Sequence, residues 1–275
     1  MNRDALFCDG TQDYVSPAEP AVNEKVFLRF RTAHNDVEEV NLLPGEHSHA
    51  MWKVCSGDEF DFYEIEWQLG AEPFRYSFEI KKGEQIWYFN RYGVSDHRED
   101  YYAFTIVPGF STPEWAKGAV MYQIFVDRFC NGDPTNDVED REYIYIGEPS
   151  TKIRDWNQTP AARDIHNFYG GDLQGVMDKL DYLQDLGIEV IYFNPLFVSP
   201  SNHKYDIQDY DYIDPHYGKI AADGGEVLPP GAQDNIRATK YQKRTGDIRN
   251  LEASNELFAR LVEEMHKRGM RVILD

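Results

Sequence analysis

Short oxygen-bearing side chains are concentrated in residues 130–138, which read CNGDPTNDV. Four of them lie within seven residues, at Asn131, Asp133, Asn136 and Asp137. Carboxylate and amide oxygens are the ligands that calcium prefers, in sets of about six to eight. The pattern differs from an EF-hand because the sixth position lacks glycine, although Glu142 falls at the twelfth. The sequence therefore predicts a calcium loop, with a turn rich in Asn and Asp as the alternative.

Polar and aromatic residues follow two apolar runs, and their types suit a sugar ligand. His203, Tyr205 and Asp206 come after the run at 188–193, and Asp275 directly follows a later run. A tyrosine ring can stack on a pyranose face, and a histidine can donate a hydrogen bond to a sugar hydroxyl. A surface loop without a ligand is the alternative for the first three residues. A carboxylate at the carboxyl end of a barrel strand, where Asp275 is predicted, is typical of a catalytic or site-organising residue.

No two carboxylates among these residues can be identified from the sequence as the pair that glycoside hydrolysis requires. Retaining glycosidases need two carboxyl groups about 5 Å apart, and inverting enzymes need them about 6.5–9.5 Å apart. We therefore assign no catalytic residue within the chain.

A helix and a strand are predicted to position these groups. Apolar residues recur at helical spacing on one face of residues 173–186, at Leu173, Val176, Met177, Leu180, Leu183 and Leu186. Asp172 stands where an N-cap accepts hydrogen bonds from the first backbone N–H groups, after a tight turn at Gly170 and Gly171. Gly187 is placed to end the helix in the left-handed conformation. The run at 188–193 (IEVIYF) then indicates a strand buried on both faces, as in a parallel sheet covered by helices.

The same pattern repeats along residues 111–275. An apolar run at 119–126 precedes the helix, and a second amphipathic helix around 257–265 leads through Gly269 to the run at 270–274. This βαβαβ order predicts parallel strands with right-handed crossovers. Rossmann-type sheets and (β/α)8 TIM barrels both begin this way, but no G-x-G-x-x-G opens the first helix and long loops follow the strands. A TIM barrel is therefore favoured, and because three strands cannot close one, we expect the chain to be the front of a longer protein.

Residues 1–110 have the composition of an antiparallel β-sandwich of about seven strands. Six segments are rich in β-branched and aromatic residues, and several alternate apolar with polar positions. They are 26–31, 51–55, 60–67, 74–80, 86–89 and 101–107. Most of the Trp and Tyr residues here are expected in the core, with a platform for glucose rings as the alternative for some. The stretch at 108–113 (PGFSTP) marks the boundary to the second domain, 111–275.

Composition limits the classes of function. A formal net charge of -20 argues against nucleic acid, whose backbone this surface would repel. Three cysteines, Cys8, Cys55 and Cys130, form no disulfide framework, and a reducing, cytoplasmic compartment is the simpler expectation. The N-terminus shows no secretory signal, and no run of about 18 apolar residues predicts a membrane span.

Four segments of residues 110–275 together resemble the α-amylase family, glycoside hydrolase family 13, in its neopullulanase, cyclomaltodextrinase and maltogenic amylase branch. The segments are MYQIFVDRFCNGDPTND, FYGGDLQGVMDKLDYLQDLGIEVIYFNPLF, SNHKYDIQDYDYIDPHYG and LVEEMHKRGMRVILD. They are similar to the first barrel strand and calcium loop, the first helix and second strand, the loop with the sugar-stacking tyrosine, and the second helix with the start of the first conserved region. The N-terminal domain resembles, more weakly, the starch-binding N-domain of the same branch.

This resemblance implies roles for individual residues. The implied calcium ligands are Asn131, Asp133, Asn136, Asp137, Gly170 (through its carbonyl) and Asp172. Tyr205 would stack on the glucose whose bond is cleaved, with His203 and Asp206 near it, and Asp275 matches the first Asp of the motif D-x-V-x-N-H. The family's nucleophile, acid/base and supporting carboxylate lie on later strands, outside this chain. The insertion at 219–250 departs from the shorter form of some members.

The resemblance implies an intracellular retaining α-glucan hydrolase with structural Ca2+. Its substrates would be cyclodextrins, pullulan or malto-oligosaccharides, cleaved at α-1,4 bonds, with α-1,6 bonds as a second linkage. The branch also implies a homodimer in the full-length form, and the 275-residue chain alone is expected to be inactive. The alternatives are a non-catalytic glucan-binding protein and a transglycosylating relative.

Overall fold

A computed structural model describes all residues from 1 to 275. The chain divides into two compact units, Met1–Lys117 and Gly118–Asp275. No helix in either unit combines the length and the apolar character needed to cross a lipid bilayer.

The first unit is built from ten strands in two antiparallel sheets. The strands are β1 (Val15–Ser16), β2 (Lys25–Ala33), β3 (Glu39–Leu43), β4 (His49–Ala50), β5 (Trp52–Ser56), β6 (Phe60–Gln68), β7 (Phe74–Lys82), β8 (Gln85–Asn90), β9 (Gly93–Ser95) and β10 (Phe104–Ile106). One sheet has the order β1-β2-β6-β5, and the other has the order β4-β3-β7-β8-β9, with β10 paired to β7. This arrangement confirms the antiparallel sandwich that the sequence predicts.

The core of the first unit comes from the inward residues of both sheets. Along β2, buried Val26, Leu28 and Phe30 alternate with more exposed residues, as expected of a strand with one face on a core. Phe30 meets Phe78 of β7 with ring centroids 4.6 Å apart, so that aromatic side chains join the two layers.

Two details of the first unit differ from the sequence prediction. The predicted strand at 101–107 is reduced to β10, because Asp100–Tyr102 forms a 3-10 turn that is capped by the Glu99 side chain. Strand β3 was not predicted: four of its five residues are buried, so it lacks the alternation by which a half-exposed strand is recognised.

The second unit contains a three-stranded parallel sheet, four helices and several short strand pairs. Its strands are β11 (Met121–Ile124), β12 (Ile144–Tyr145), β13 (Glu148–Pro149), β14 (Thr151–Lys152), β15 (Asn167–Phe168), β16 (Val190–Phe193), β17 (Phe197–Val198), β18 (Asp209–Ile213) and β19 (Arg271–Leu274). The helices are α1 (Leu173–Asp178), α2 (Leu180–Asp185), α3 (Thr239–Gly246) and α4 (Ile248–Lys267). The sheet order β11-β16-β19 with parallel pairing is that of the first strands of a TIM barrel, as predicted.

The predicted helix at 173–186 is present but interrupted. Asp172 caps α1 by accepting from the Gly175 N–H, as the sequence indicates, and Lys179 then separates α1 from α2. Gly187 has φ +82°, and the N–H of Ile188 donates to Leu183 O, so the helix ends in the predicted left-handed turn. Leu173, Val176, Leu180 and Leu183 all face the core, and the break therefore does not move the apolar face away from the sheet.

The polar insertion at 219–250 is more structured than predicted. It contains α3, and α4 begins at Ile248, well before the predicted apolar helix around 257–265. Helix α3 was missed because it has almost no apolar side chains, and the residue that it buries is Arg244. The buried guanidinium of Arg244 and the ring of Tyr241, which lies 4.1 Å from the ring of Tyr143, hold this helix to the unit.

Substitution of Gly175 by Ala is expected to destabilise the full-length protein by about 3 kcal/mol, because an added Cβ would lie under 3.0 Å from the backbone of Cys130 and neither backbone can yield easily. Gly246→Ala is the matched control, since Gly246 also lies in a helix but has no atom within 4 Å of the added Cβ. The control should change the free energy of unfolding by less than about 1 kcal/mol. Urea unfolding of the two variants measures the difference, and equal values would contradict the close contact between α1 and the loop.

Candidate functional site

The carboxyl ends of the three parallel strands lie side by side. Ile124, Phe193 and Leu274 are in register across the sheet. The pairing continues for one residue beyond it, because Asn194 N donates to Ile124 O and Asp275 N donates to Phe193 O, each at 3.0 Å. The residues that follow β16 and β19 are therefore held at one edge of the sheet, which is where α/β barrels bind ligands.

Tyr205 and Asp275 meet at this edge. The Tyr205 hydroxyl donates to Asp275 Oδ2 at 2.6 Å. This hydrogen bond, reinforced by partial burial, raises the pKa of Tyr205 to about 12, so the phenol stays protonated as a donor. Burial and the same carboxylate also raise the pKa of Tyr192, which lies on β16. The ring of Tyr205 remains 54% exposed and so has a face available for a planar ligand surface.

His203 lies beside Tyr205, with ring centroids 5.9 Å apart. The backbone N–H of Tyr205 donates to His203 Nδ1 at 3.1 Å. Since Nδ1 accepts this bond, the neutral ring carries its proton on Nε2, where it can donate to a ligand hydroxyl. The structure thus brings three predicted residues together: His203, Tyr205 and Asp275.

Asp206 faces a different group of residues. Its Oδ1 accepts from the Ser199 hydroxyl at 2.7 Å and from the Ser201 hydroxyl. A hydrogen bond to Asp206 raises the pKa of Tyr145 to about 12. Ser201 Oγ lies 3.2 Å from His203 Nδ1, so Asp206 supports residues 199–206, which we call the histidine loop, through a serine.

The six predicted calcium ligands form one group, which we call the oxygen cluster: Asn131, Asp133, Asn136, Asp137, Gly170 and Asp172. Asp172 joins the loop to the helix. Its Oδ1 accepts from Gly132 N at 3.0 Å and from Gly175 N at 2.6 Å. Its Oδ2 accepts from Asp133 N at 2.7 Å and from Asn136 Nδ2 at 3.2 Å. The sequence prediction that Asp172 is an N-cap is confirmed, and the same carboxylate also orders the loop.

Gly170 closes the other side of the oxygen cluster. Asn131 Nδ2 donates to Asp137 Oδ1 at 2.8 Å. A Cβ on Gly170 would lie under 3.0 Å from both of these side chains, and the residue has φ +81°, so only glycine fits the position.

The donor chemistry of the oxygen cluster fits calcium. Asn131 Oδ1 and Asn136 Oδ1 are buried and have no hydrogen-bond partner, which is unusual for amide oxygens and typical of atoms that face a cation. Burial raises the pKa values of Asp137 and Asp172, so a nearby positive charge would stabilise both carboxylates.

The carboxylates alone do not make a metal site. No three side chains of His, Cys, Asp or Glu converge closely enough to hold a metal ion. Lys219 Nζ lies 2.6 Å from Asp133 Oδ2, and Lys152 Nζ lies 2.6 Å from Asp137 Oδ2, so both carboxylates already have a cationic partner. A hard cation here would depend on amide and backbone carbonyl oxygens as well.

Sequence reasoning missed a buried chain of charges that runs between the loops. Lys204 pairs with Asp214 at 2.6 Å, and Asp214 pairs with His216 at 2.9 Å. His216 then pairs with Glu142 at 2.7 Å, and Glu142 with Arg244 at 2.9 Å. We call these five residues the ionic chain; each side chain is 3% exposed or less. The segment DPHYG places Asp214 and His216 close in sequence, but nothing in the sequence indicates their partners.

The ionic chain alternates in sign when His216 is protonated. Burial alone would lower the pKa of His216, but the carboxylates of Glu142 and Asp214 outweigh burial and raise it to about 9. The ammonium of Lys204 and the His216 ring likewise hold the pKa of Asp214 well below its usual range, against the effect of burial. Arg244 also donates to Asp137 O at 2.9 Å, so the chain reaches from the histidine loop to the oxygen cluster.

The free energy of unfolding is expected to fall as the pH rises from 6.5 through 9. The pKa of His216 is 6.5 when the ring is unperturbed and about 9 in the folded protein, so its contribution is fully present below pH 6.5 and is lost as the folded ring deprotonates. The difference between these two pKa values corresponds to up to about 3 kcal/mol of the free energy of unfolding. Urea unfolding of the full-length protein at several pH values, compared with His216→Gln, isolates this slope. His266→Gln, at an exposed position on α4, is the control. If the free energy of unfolding depends on pH with the same slope in the wild type and in His216→Gln, the assignment of this pH dependence to His216 is contradicted.

Comparison with known proteins finds relatives of both units. Residues 1–108 match the family model for the alpha amylase N-terminal ig-like domain, and residues 123–223 match the model for the alpha amylase catalytic domain. Neopullulanase 2 of Thermoactinomyces vulgaris is 34% identical over 100% of this chain and 41% of its own length. The intracellular maltogenic amylase of Bacillus subtilis is 31% identical over 91% of this chain and 38% of its own length.

A solved structure shows the same fold. The type III pullulan hydrolase from Thermococcus kodakarensis is 25% identical and superposes with a TM-score of 0.50, covering 98% of this chain and 40% of that protein. The chain spans about two fifths of the length of these three relatives.

Both domain matches, the relatives and the fold indicate the same family. The chain belongs to the alpha-amylase family, glycoside hydrolase family 13, in the branch of neopullulanases, cyclomaltodextrinases and maltogenic amylases, and it contains the family's N-terminal Ig-like domain and part of its catalytic domain.

Proposed function

We propose that the protein containing this chain is a retaining α-glucan hydrolase that acts on cyclodextrins, pullulan or malto-oligosaccharides. It would cleave α-1,4 bonds, with α-1,6 bonds as a second linkage. The observation that supports this most directly is the hydrogen bond between Tyr205 and Asp275 at the carboxyl edge of the sheet. The names of the relatives, which include neopullulanase and cyclomaltodextrinase, support the same class of substrate.

Each residue at this edge has a defined part in binding. Tyr205 offers an aromatic face to a glucose ring, and its bond to Asp275 fixes the plane of that face. His203 donates from Nε2 to a sugar hydroxyl, and the remaining lone pairs of Asp275 accept from another. Asp206 acts indirectly, by holding the serines beside the histidine loop.

The bond-breaking groups are expected outside residues 1–275. Retention requires a nucleophilic carboxylate and a carboxylic acid about 5–5.5 Å apart, the first attacking the anomeric carbon while the second protonates the leaving oxygen. In this proposal both groups lie on strands that follow β19 in the complete barrel. The fragment 1–275 would therefore bind weakly and not turn over substrate.

Calcium is the proposed structural cofactor, and the oxygen cluster would hold it. When bound, the ion supplies positive charge to the buried oxygens of Asn131 and Asn136, which have no partner within the protein. Its effect would be to tie the loop after β11 to the start of α1. A cytoplasmic location is part of the proposal, since one relative is named an intracellular maltogenic amylase. A homodimer of the full-length form stays a prediction.

The full-length protein is expected to release small maltosaccharides from cyclodextrin, pullulan or starch, whereas the fragment 1–275 releases none. Tyr205→Ala should lower kcat/KM about tenfold or more, because one aromatic contact is worth on the order of 1.5 kcal/mol. Tyr182→Ala is the matched control, since Tyr182 on α2 is 56% exposed and lies away from the strand ends.

The products separate this function from its alternatives. Binding of glucans without any product would replace the hydrolase with a glucan-binding protein. Oligosaccharides longer than the substrate would indicate transglycosylation. Equal losses of kcat/KM in Tyr205→Ala and Tyr182→Ala would refute the proposed role of Tyr205.

Calcium is expected to bind to the full-length protein and to raise its Tm, because a ligand that binds only the folded state stabilises it by mass action. Asn131→Ala removes one of the two unpartnered oxygens and should weaken calcium binding at least about tenfold. Isothermal titration with calcium after EDTA treatment measures the affinity. Asn157→Ala, in an exposed turn outside the oxygen cluster, is the control. A wild-type protein that shows no calcium binding would refute the calcium proposal.

A further inference from the structure

Lys204 is buried between two residues that stay at the surface. Its side chain is 1% exposed, whereas Tyr205 is largely exposed and His203 is half-buried. The ammonium donates to Asp214 Oδ2 at 2.6 Å and to Ser199 O at 2.8 Å. A lysine is rarely buried unless its charge is paired, so this side chain is held in place by specific contacts.

The backbone at Lys204 is also unusual. Its φ is +61°, a left-handed conformation that is rare for a residue with a Cβ and that persists only where the surroundings enforce it. This turn sends the side chain of Lys204 inward, while the rings of His203 and Tyr205 remain 5.9 Å apart at the surface. A residue in the left-handed conformation therefore lies between the two rings in the sequence.

The partner of Lys204 is itself rigidly held. Besides the Lys204 ammonium, Asp214 accepts from Ser199 N at 3.1 Å, from His216 N at 2.9 Å and from His216 Nδ1 at 2.9 Å. The rings of Tyr217 and Phe168 lie 4.9 Å and 5.9 Å from the Lys204 ammonium, and their faces favour a cation. Lys204 therefore attaches the loop to a carboxylate that three further hydrogen bonds hold in place.

We propose that Lys204 is a positioning residue for the sugar site: its ion pair with Asp214 holds the left-handed turn that places His203 and Tyr205 side by side. This inference rests on the proposed function for its catalytic consequences, but the ordering of the loop does not depend on that function. A purely structural ion pair would contribute to stability and leave the geometry of substrate binding unchanged.

Two substitutions in the full-length protein test the proposal. Lys204→Met keeps the length of the side chain and removes its charge and donors. Lys204→Gln keeps a donor for Asp214 and is the second variant in case the first does not fold. Lys240→Met is the matched control, because Lys240 also forms a partly buried ion pair, at 2.6 Å, but its partner Glu139 lies outside the peptide 199–209.

Three measurements are compared among the variants: Tm, hydrogen exchange of the peptide 199–209, and kcat and KM on cyclodextrin. In the Lys204 variants we expect faster exchange confined to this peptide, a KM raised at least about fivefold and a kcat/KM lowered about 10- to 100-fold, since small displacements of a binding group have effects of this size. The control should lower Tm without changing KM or the exchange of this peptide.

Either of two results would overturn the proposal. Folded Lys204 variants with unchanged exchange of the peptide 199–209 show that the ion pair does not order the loop. A loss of kcat at constant KM, equal to that of Lys240→Met, shows only a smaller folded fraction. If the wild-type protein has no activity on any glucan, the proposed function fails separately. Hydrogen exchange of the peptide 199–209 and the affinity for maltotriose then decide the role of Lys204. An affinity of Lys204→Gln below that of the wild type supports this role, and an equal affinity refutes it.

Discussion

The carboxylate of Asp172 is the contact on which the second unit depends. Its four hydrogen bonds come from two elements that are about 40 residues apart in sequence, the loop after β11 and the first turn of α1. One side chain therefore begins a helix and fixes a loop at the same time. Burial raises the pKa of Asp172, so this arrangement carries an electrostatic cost that the surrounding N–H groups offset only in part. The position of the oxygen cluster follows from this contact.

The long loops of the second unit are held by buried charges and by apolar packing. The ionic chain connects the loop after β11, the histidine loop and α3, and an apolar cluster around Tyr143 and Phe168 lies beside it. Buried ion pairs contribute little net stability compared with apolar packing, but removal of one partner leaves a buried charge that is costly. Such a network favours one arrangement of the loops over its alternatives. The edge that carries Tyr205 and the oxygen cluster are thereby parts of one connected structure.

Local patterns in the sequence predicted most of the fold. The alternation on β2, the cap at Asp172 and the glycine at 187 each follow from contacts within a few residues, and all three are present. Tyr205 and Asp275 were each expected after the end of a strand, and the structure adds the hydrogen bond between them. The partners of Glu142 and Arg244 could not be predicted, since ion pairs between residues about 100 apart leave no periodic signal. The same holds for Asp206, whose position beside two serines depends on the path of the whole loop.

The close approach of Gly132 and Gly175 has a consequence for exchanging parts between relatives. Backbone contacts backbone here: a Cβ on Gly132 would lie under 3.0 Å from residue 175, and a Cβ on Gly175 would lie equally close to Cys130. The loop and the start of the helix therefore have to be exchanged together, although about 40 residues separate them in the sequence. A chimera that takes residues 130–142 from another family member needs the matching 170–175 from the same donor. A substitution in the loop is tolerated only if the backbone at the start of the helix still fits against it, and the converse also holds.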